Sequence, residues 1–96
     1  MDISKICEYV WYTETRTDYA PQEEKYLLGI HLGTAIYFCY EKSRTTALDH
    51  GLRRGLQAKA SSYVIYADLN MLEDSELDAA NIRFKKSRAT SRNFNV

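Results

Sequence analysis

The stretch that decides the fold is Tyr26 to Tyr40, YLLGIHLGTAIYFCY, in which eleven of fifteen residues are apolar or aromatic. It is too long for one strand, whose commonest length is about 5–6 residues. Gly29 and Gly33 interrupt it, as glycines do at bends and bulges. It therefore reads as two strands, 26–31 and 35–40, joined through Leu32-Gly33-Thr34. Ala35 to Tyr40 is an unbroken apolar run, the pattern of a strand covered on both faces. Its length and the flanking glycine favour a strand over a buried helix. This pair forms the centre of the sheet.

Working outward, Glu8 to Thr15 is rich in aromatic and β-branched residues and predicts a strand, with a short helical turn over 2–8 capped by Asp2 or Ser4. Residues 18–24, with the sole proline at Pro21, form a surface loop. C-terminal to the central pair, Leu48, Leu52 and Leu56 recur every four residues from Ser43 to Ala60, beside Ala47, Gly51 and Gly55. That spacing predicts a main helix capped by Ser43, with Asp49, His50, Arg53, Arg54 and Gln57 on its polar side. Tyr63 to Leu69 reads as the next strand, residues 74–80 as a short acidic helix capped by Asp74 or Ser75, and 81–85 as a last strand. The fold class expected is α+β: a small, mostly antiparallel sheet with one main helix on one face. Residues 1–86 form a single domain and 87–96 a flexible basic tail.

Ninety-six residues suit one domain and bury roughly 60–65% of the unfolded surface, so one core is feasible without staples. No apolar run approaches the roughly 20 residues of a membrane span, and Asp2 breaks the pattern of a signal peptide. A soluble cytoplasmic protein is expected. Thirteen basic residues balance thirteen acidic ones, which argues against the strongly basic RNA-cleaving toxins. The charges are nevertheless segregated: Glu73, Asp74, Glu76 and Asp78 cluster, and Arg83, Lys85, Lys86, Arg88 and Arg92 follow with no acid between them. Cys7 and Cys39 lack any Cys-x-x-Cys spacing and read as two buried thiols, with a disulfide or a metal role as the alternative.

The run Gly33-Thr34-Ala35-Ile36-Tyr37-Phe38, followed by Ser43 and by Ala47, resembles the second motif of the ADP-ribosyltransferase superfamily. That motif reads Gly-x-Gly-Ile-Tyr-Phe, then Ser and an Ala-bearing helix, then a strand similar to Tyr63–Leu69, with Asp68-Leu69 at its end. The similarity spans about residues 29–70. It implies NAD as cofactor, Tyr37 stacked on nicotinamide, and Ser43 at the carboxamide or shaping the pocket. The family's early His or Arg is missing from Tyr12-Thr13-Glu14-Thr15. No acidic residue follows position 78 to serve as the late catalytic Glu, which leaves Glu73 or Glu76 in a shortened topology. An oxocarbenium-like transition state needs such a carboxylate.

No P-loop, metal-ligand cluster or nucleophile–base spacing occurs, so no catalytic residue is assigned. His31 reads as a hydrogen-bonded structural histidine, and His50 as a solvent-side residue; histidine is the commonest general base, but no nucleophile stands beside it. Eight tyrosines and one tryptophan point to half-wet surfaces. The leading expectation is a non-enzymatic protein-binding domain, such as a phage or mobile-element inhibitor of a host defence protein. Its expected contacts are Tyr9, Tyr19, Arg53, Arg54, Arg83, Lys85, Lys86, Arg88 and Arg92. An NAD-binding enzyme is the alternative, nucleic-acid binding through the basic tail is the second, and a second copy of the chain is a further candidate partner.

Overall fold

A computed structural model describes residues 3–86. The expected tail, including Arg88 and Arg92, lies outside the described residues. In chain order the elements are α1 (Ile3–Thr15), β1 (Leu27–His31), β2 (Thr34–Phe38), β3 (Ala47–Leu48), α2 (His50–Gly55), β4 (Ser62–Ala67), β5 (Leu69–Asn70), α3 (Asp74–Ala79) and β6 (Ile82–Lys86).

The class is α+β, but the sheet is mixed rather than mostly antiparallel. Its order is β1-β2-β4-β6. Only the β1–β2 hairpin is antiparallel; β2–β4 and β4–β6 run parallel. The reason lies in the connections. A parallel neighbour requires a crossover, and β3 with α2, then β5 with α3, supply one before β4 and one before β6. β3 and β5 themselves pair in parallel as a two-stranded ribbon.

The central pair falls where the apolar stretch placed it. Along β2, Ile36 and Phe38 point to one face, while Ala35, Tyr37 and then Cys39 point to the other, and all five are buried. β4 divides in the same way, with Val64 and Tyr66 on one face and Ile65 and Ala67 on the other. Helices cover both faces, where the sequence reading placed one main helix on one face. α1 lies on the Ile36 side. Leu52 of α2 and Leu77 of α3 lie on the Tyr37 side.

Two element assignments also change. Glu8–Thr15, expected as a strand, belongs to the thirteen-residue α1. Ile3, Ile6, Cys7, Val10 and Trp11 recur at helical spacing, and that amphipathic period outweighs the strand preference of the aromatics. Thr13 and Thr15 donate their hydroxyls to the carbonyls of Tyr9 and Trp11, at 2.8 and 2.9 Å, so both fit the last turn. Arg16 ends the helix in a left-handed conformation, φ 60°.

The main helix expected from Ser43 to Ala60 is only the six-residue α2. Leu48 is fully buried in β3, not on a helix. Asp49, not Ser43, caps α2, its carboxylate accepting from Leu52 N at 2.8 Å. Ser43 sits in the 41–44 turn closed by the Glu41–Arg44 bridge. Likewise Glu73, rather than Asp74 or Ser75, precedes α3, and its N–H donates to Glu76 Oε1 at 3.1 Å. No helix among the described residues is long and apolar enough to cross a membrane.

Candidate functional site

The outward side of α1 combines exposed aromatic side chains with a firmly held backbone. Its inner side buries Ile6, Val10 and Trp11 against Leu28, Ile36, Phe38, Val64 and Tyr66. The Trp11 indole lies directly on Gly29, where a Cβ would sit 2.8 Å from the ring. Gly29 also has φ 153°, a conformation that favours glycine. The indole N–H donates to Thr17 Oγ1 at 3.1 Å and to the Asp18 carbonyl at 2.9 Å, and His31 meets the ring edge-on.

At the other end Glu14 accepts from the Tyr66 hydroxyl and from Lys85 Nζ, both at 2.6 Å. Burial alone pushes the Glu14 carboxyl up. The Lys85 ammonium and the Tyr66 hydroxyl outweigh it and hold the group below its ordinary value. Burial, with Glu14 next to it, drives the Tyr66 hydroxyl well above the usual tyrosine range, so it stays a donor.

With its inner side fixed, α1 presents Tyr9 and Tyr12, 58% and 53% exposed, one turn apart. The Arg16 guanidinium lies over the Tyr12 ring at 5.7 Å. The indole bonds to Thr17 and Asp18 hold the chain after α1 against the helix. The result is an open cleft of about 550 Å³ between Lys5, Glu8, Tyr9 and Tyr12 on one wall and Thr17, Asp18 and Tyr19 on the other. Tyr19 is half-buried against the core, and burial, with Cys7 and Glu8 nearby, raises its hydroxyl pKa. Tyr9 and Tyr19, expected as contacts, are therefore brought together. Tyr12, Lys5 and Glu8 were missed, and the helical spacing of Ile3, Ile6, Cys7, Val10 and Trp11 is the signal that places them.

The other expected residues lie elsewhere. Arg53 and Arg54 are exposed on α2, across the sheet from α1. Arg83 and Lys86 are exposed on the edge strand β6, while Lys85 is held by Glu14. Tyr37 is core: its ring is buried, and its hydroxyl donates to Glu24 at 2.7 Å and accepts from Ala58 N at 3.2 Å. Burial, then the Glu24 carboxylate, raises its pKa far above the tyrosine value. Glu24 also accepts from Gln57 N at 2.9 Å. The cleft of about 590 Å³ that reaches Tyr37 is lined by residues 23–26 and by α2 with the residues just after it, and Ser43 is not part of its wall.

Glu76 bonds His50 Nε2 at 2.5 Å. Its Glu73 backbone bond, then His50, holds its carboxyl below the ordinary value. Burial pushes the Cys39 thiol up to about 12, so it remains protonated. Among the described residues no three His, Cys, Asp or Glu side chains group as a metal site.

Comparison with protein-family models, curated proteins and solved structures returns no match.

Proposed function

We propose that the chain is a non-enzymatic binding module that engages another protein through the outer side of α1. The observation that carries this reading is the exposed Tyr9–Tyr12 pair on a helix whose opposite side is fixed by Trp11, Glu14 and the apolar core. Tyrosine brings a large amphipathic surface at low entropic cost, having only two side-chain torsions to fix, and it anchors interfaces far more often than its abundance suggests. Because the helix is already in place, little ordering opposes association. Lys5, Glu8, Arg16 and Asp18 surround the pair with both signs of charge, the polar rim such patches carry. A phage or mobile-element inhibitor of a host defence protein would work in this way, occupying its target rather than processing it.

A photo-cross-linking residue in place of Tyr12, expressed in the native host, should trap one protein species. That protein, purified, should bind Tyr9→Ala/Tyr12→Ala at least about tenfold more weakly than the wild type, a loss of roughly 1.4 kcal/mol or more. The double variant should melt as the wild type does, since both side chains face outward. Failure to trap any protein, or equal affinity of the double variant, would remove the proposal.

A further inference from the structure

Among the described residues the sheet ends in two outer strands of unlike chemistry. β1 is an outer strand, and among the described residues the only loop backbone bond to it is Leu27 N to the Glu24 carbonyl at 3.1 Å. β1 reads LLGIH, and no charged residue occurs from Leu27 to Thr34 apart from the titratable His31. The opposite outer strand, β6, carries Arg83, Lys85 and Lys86 within five residues. Lysines and arginines on an edge discourage strand addition by like chains, and β1 has none of that protection.

The hairpin tip sharpens the contrast. His31 and Thr34 pair across the two-residue turn Leu32-Gly33, whose φ values are 50° and 82°. Asparagine and glycine take such left-handed positions readily; leucine does so only against its own Cβ. Leu32 is 90% exposed, so the fold gains from neither its conformation nor its burial. Two residues earlier Ile30 is 50% exposed. His31 is the hydrogen-bonded closing pair of the hairpin, so by antiparallel alternation the N–H and C=O of Ile30 point away from β2. Ile30 therefore offers both an outward backbone and a half-bare apolar side chain.

We propose that β1 pairs antiparallel with β1 of a second copy of this chain, about a two-fold axis through Ile30, to make one continuous eight-stranded sheet. A two-fold contact must be self-complementary. On this axis Ile30 meets its own copy on the same face of the sheet. His31 then lies across from Gly29, beside the Trp11 indole that covers that glycine, and Leu32 gains a neighbour at the start of the facing strand. No like charges meet. The same operation on β6 would set three cations against three. A contact built on one five-residue strand is small, so association is concentration-dependent.

Sedimentation velocity from micromolar to near-millimolar protein tests this. The wild-type mass should rise from 11.1 kDa towards twice that value. Ile30→Lys, which sets two ammonium groups across the axis, should stay monomeric throughout. Leu32→Asn suits the turn, should melt no lower than the wild type, and should weaken association about tenfold; it stands alone if Ile30→Lys folds poorly. A wild type that remains monomeric at the highest concentration overturns the proposal and leaves the edge to a foreign strand. Dimers insensitive to both variants, or dimers abolished by Lys86→Glu, overturn it as well.

Discussion

The two faces of the sheet are held by different means. On one, a single thirteen-residue helix lays Ile6, Val10 and Trp11 onto the strands. On the other, α2 and α3 have six residues each and no fully buried residue of their own. Leu52 and Leu77 pack half-buried on the strands. Side-chain bonds add to that packing: Asp49 caps α2 at Leu52, His50 bonds Glu76, and Glu24 bonds both Tyr37 and Gln57. Helices that short are marginal in isolation, so such ties must hold them. The contrast matters for function. A helix fixed by apolar contacts on its inner side turns its outer side chains to solvent, and there Tyr9 and Tyr12 stand. Elements fixed by polar clamps have their acceptors already engaged.

The largest effect should come from the apolar attachment. Trp11→Ala should cost about 3–5 kcal/mol, as other large-to-small core changes do, a large share of the roughly 5–15 kcal/mol that stabilises a domain. Gly29→Ala should cost about 1–3 kcal/mol, because the new methyl meets the indole at 2.8 Å. Urea melts of the two single variants and the double variant close a thermodynamic cycle. The glycine change should be cheaper once Trp11 is gone. An equal cost in both backgrounds would mean that the ring does not set the spacing between α1 and β1.

The clamped face should respond less. Glu24→Ala leaves the Tyr37 hydroxyl and the Gln57 N–H without their carboxylate and should cost about 1–3 kcal/mol. The loss should appear first around residues 50–58, as faster amide exchange there than on α1. Uniform loosening of both faces would show that the attachment is shared rather than local.

How much of this was legible in the sequence follows the same division. The run from Ala35 to Cys39 revealed a strand covered on both faces, because burial on both sides leaves no polar alternation. β4, α3 and β6 also fell close to their expected places. Residues 43–60 misled: Leu48, Leu52 and Leu56 share a spacing of four, yet Leu48 serves a strand, Leu52 a short helix and Leu56 the extended residue that ends it. Spacing alone cannot say that Asp49 will start the helix or that Thr46 will bond the Cys39 carbonyl, at 2.5 Å, and bring Asp68 to its own N–H, at 3.1 Å. The Thr46–Asp68 bond joins segments that no local pattern connects. Residues 8–15 misled for the opposite reason: local strand preference was read without the helical period that begins at Ile3. The sequence reading already held the helices before Tyr63 and before 81–85 that serve as crossovers, and the parallel pairing of β2, β4 and β6 follows from them rather than the mostly antiparallel sheet expected.

One polar tie belongs to the α1 side, and pH isolates it. Glu14 titrates below its ordinary value of 4.5 in the folded chain. Its contribution is therefore fully present above that value and is lost as pH falls through the lower, folded one. Glu41 and Glu76 are shifted in the same direction, but both are half-exposed, so solvent screens them and they add less to the acid dependence. Glu14→Gln should cost about 1–2 kcal/mol near neutral pH, where Lys85 loses its partner. Between about pH 5 and pH 3 its stability should fall less steeply than that of the wild type. Parallel pH profiles would show that the Glu14–Lys85–Tyr66 contact does not carry the acid sensitivity of this face.

The smallest change should run in the opposite direction. Gly55 closes α2 on the clamped face, no atom lies within 4 Å of where its Cβ would be, and its φ is not in the left-handed range. Neither conformation nor packing within the chain requires glycine there. Gly55→Ala should therefore raise stability by about 0.5 kcal/mol, chiefly by restricting the unfolded chain. If α2 is held by its bonds to Asp49 and Glu76, that methyl adds helix preference without disturbing any contact, and the melting temperature rises slightly. A fall instead would mean that Gly55 packs more closely than its open surroundings show, and that the clamped face depends on apolar fit as the α1 face does.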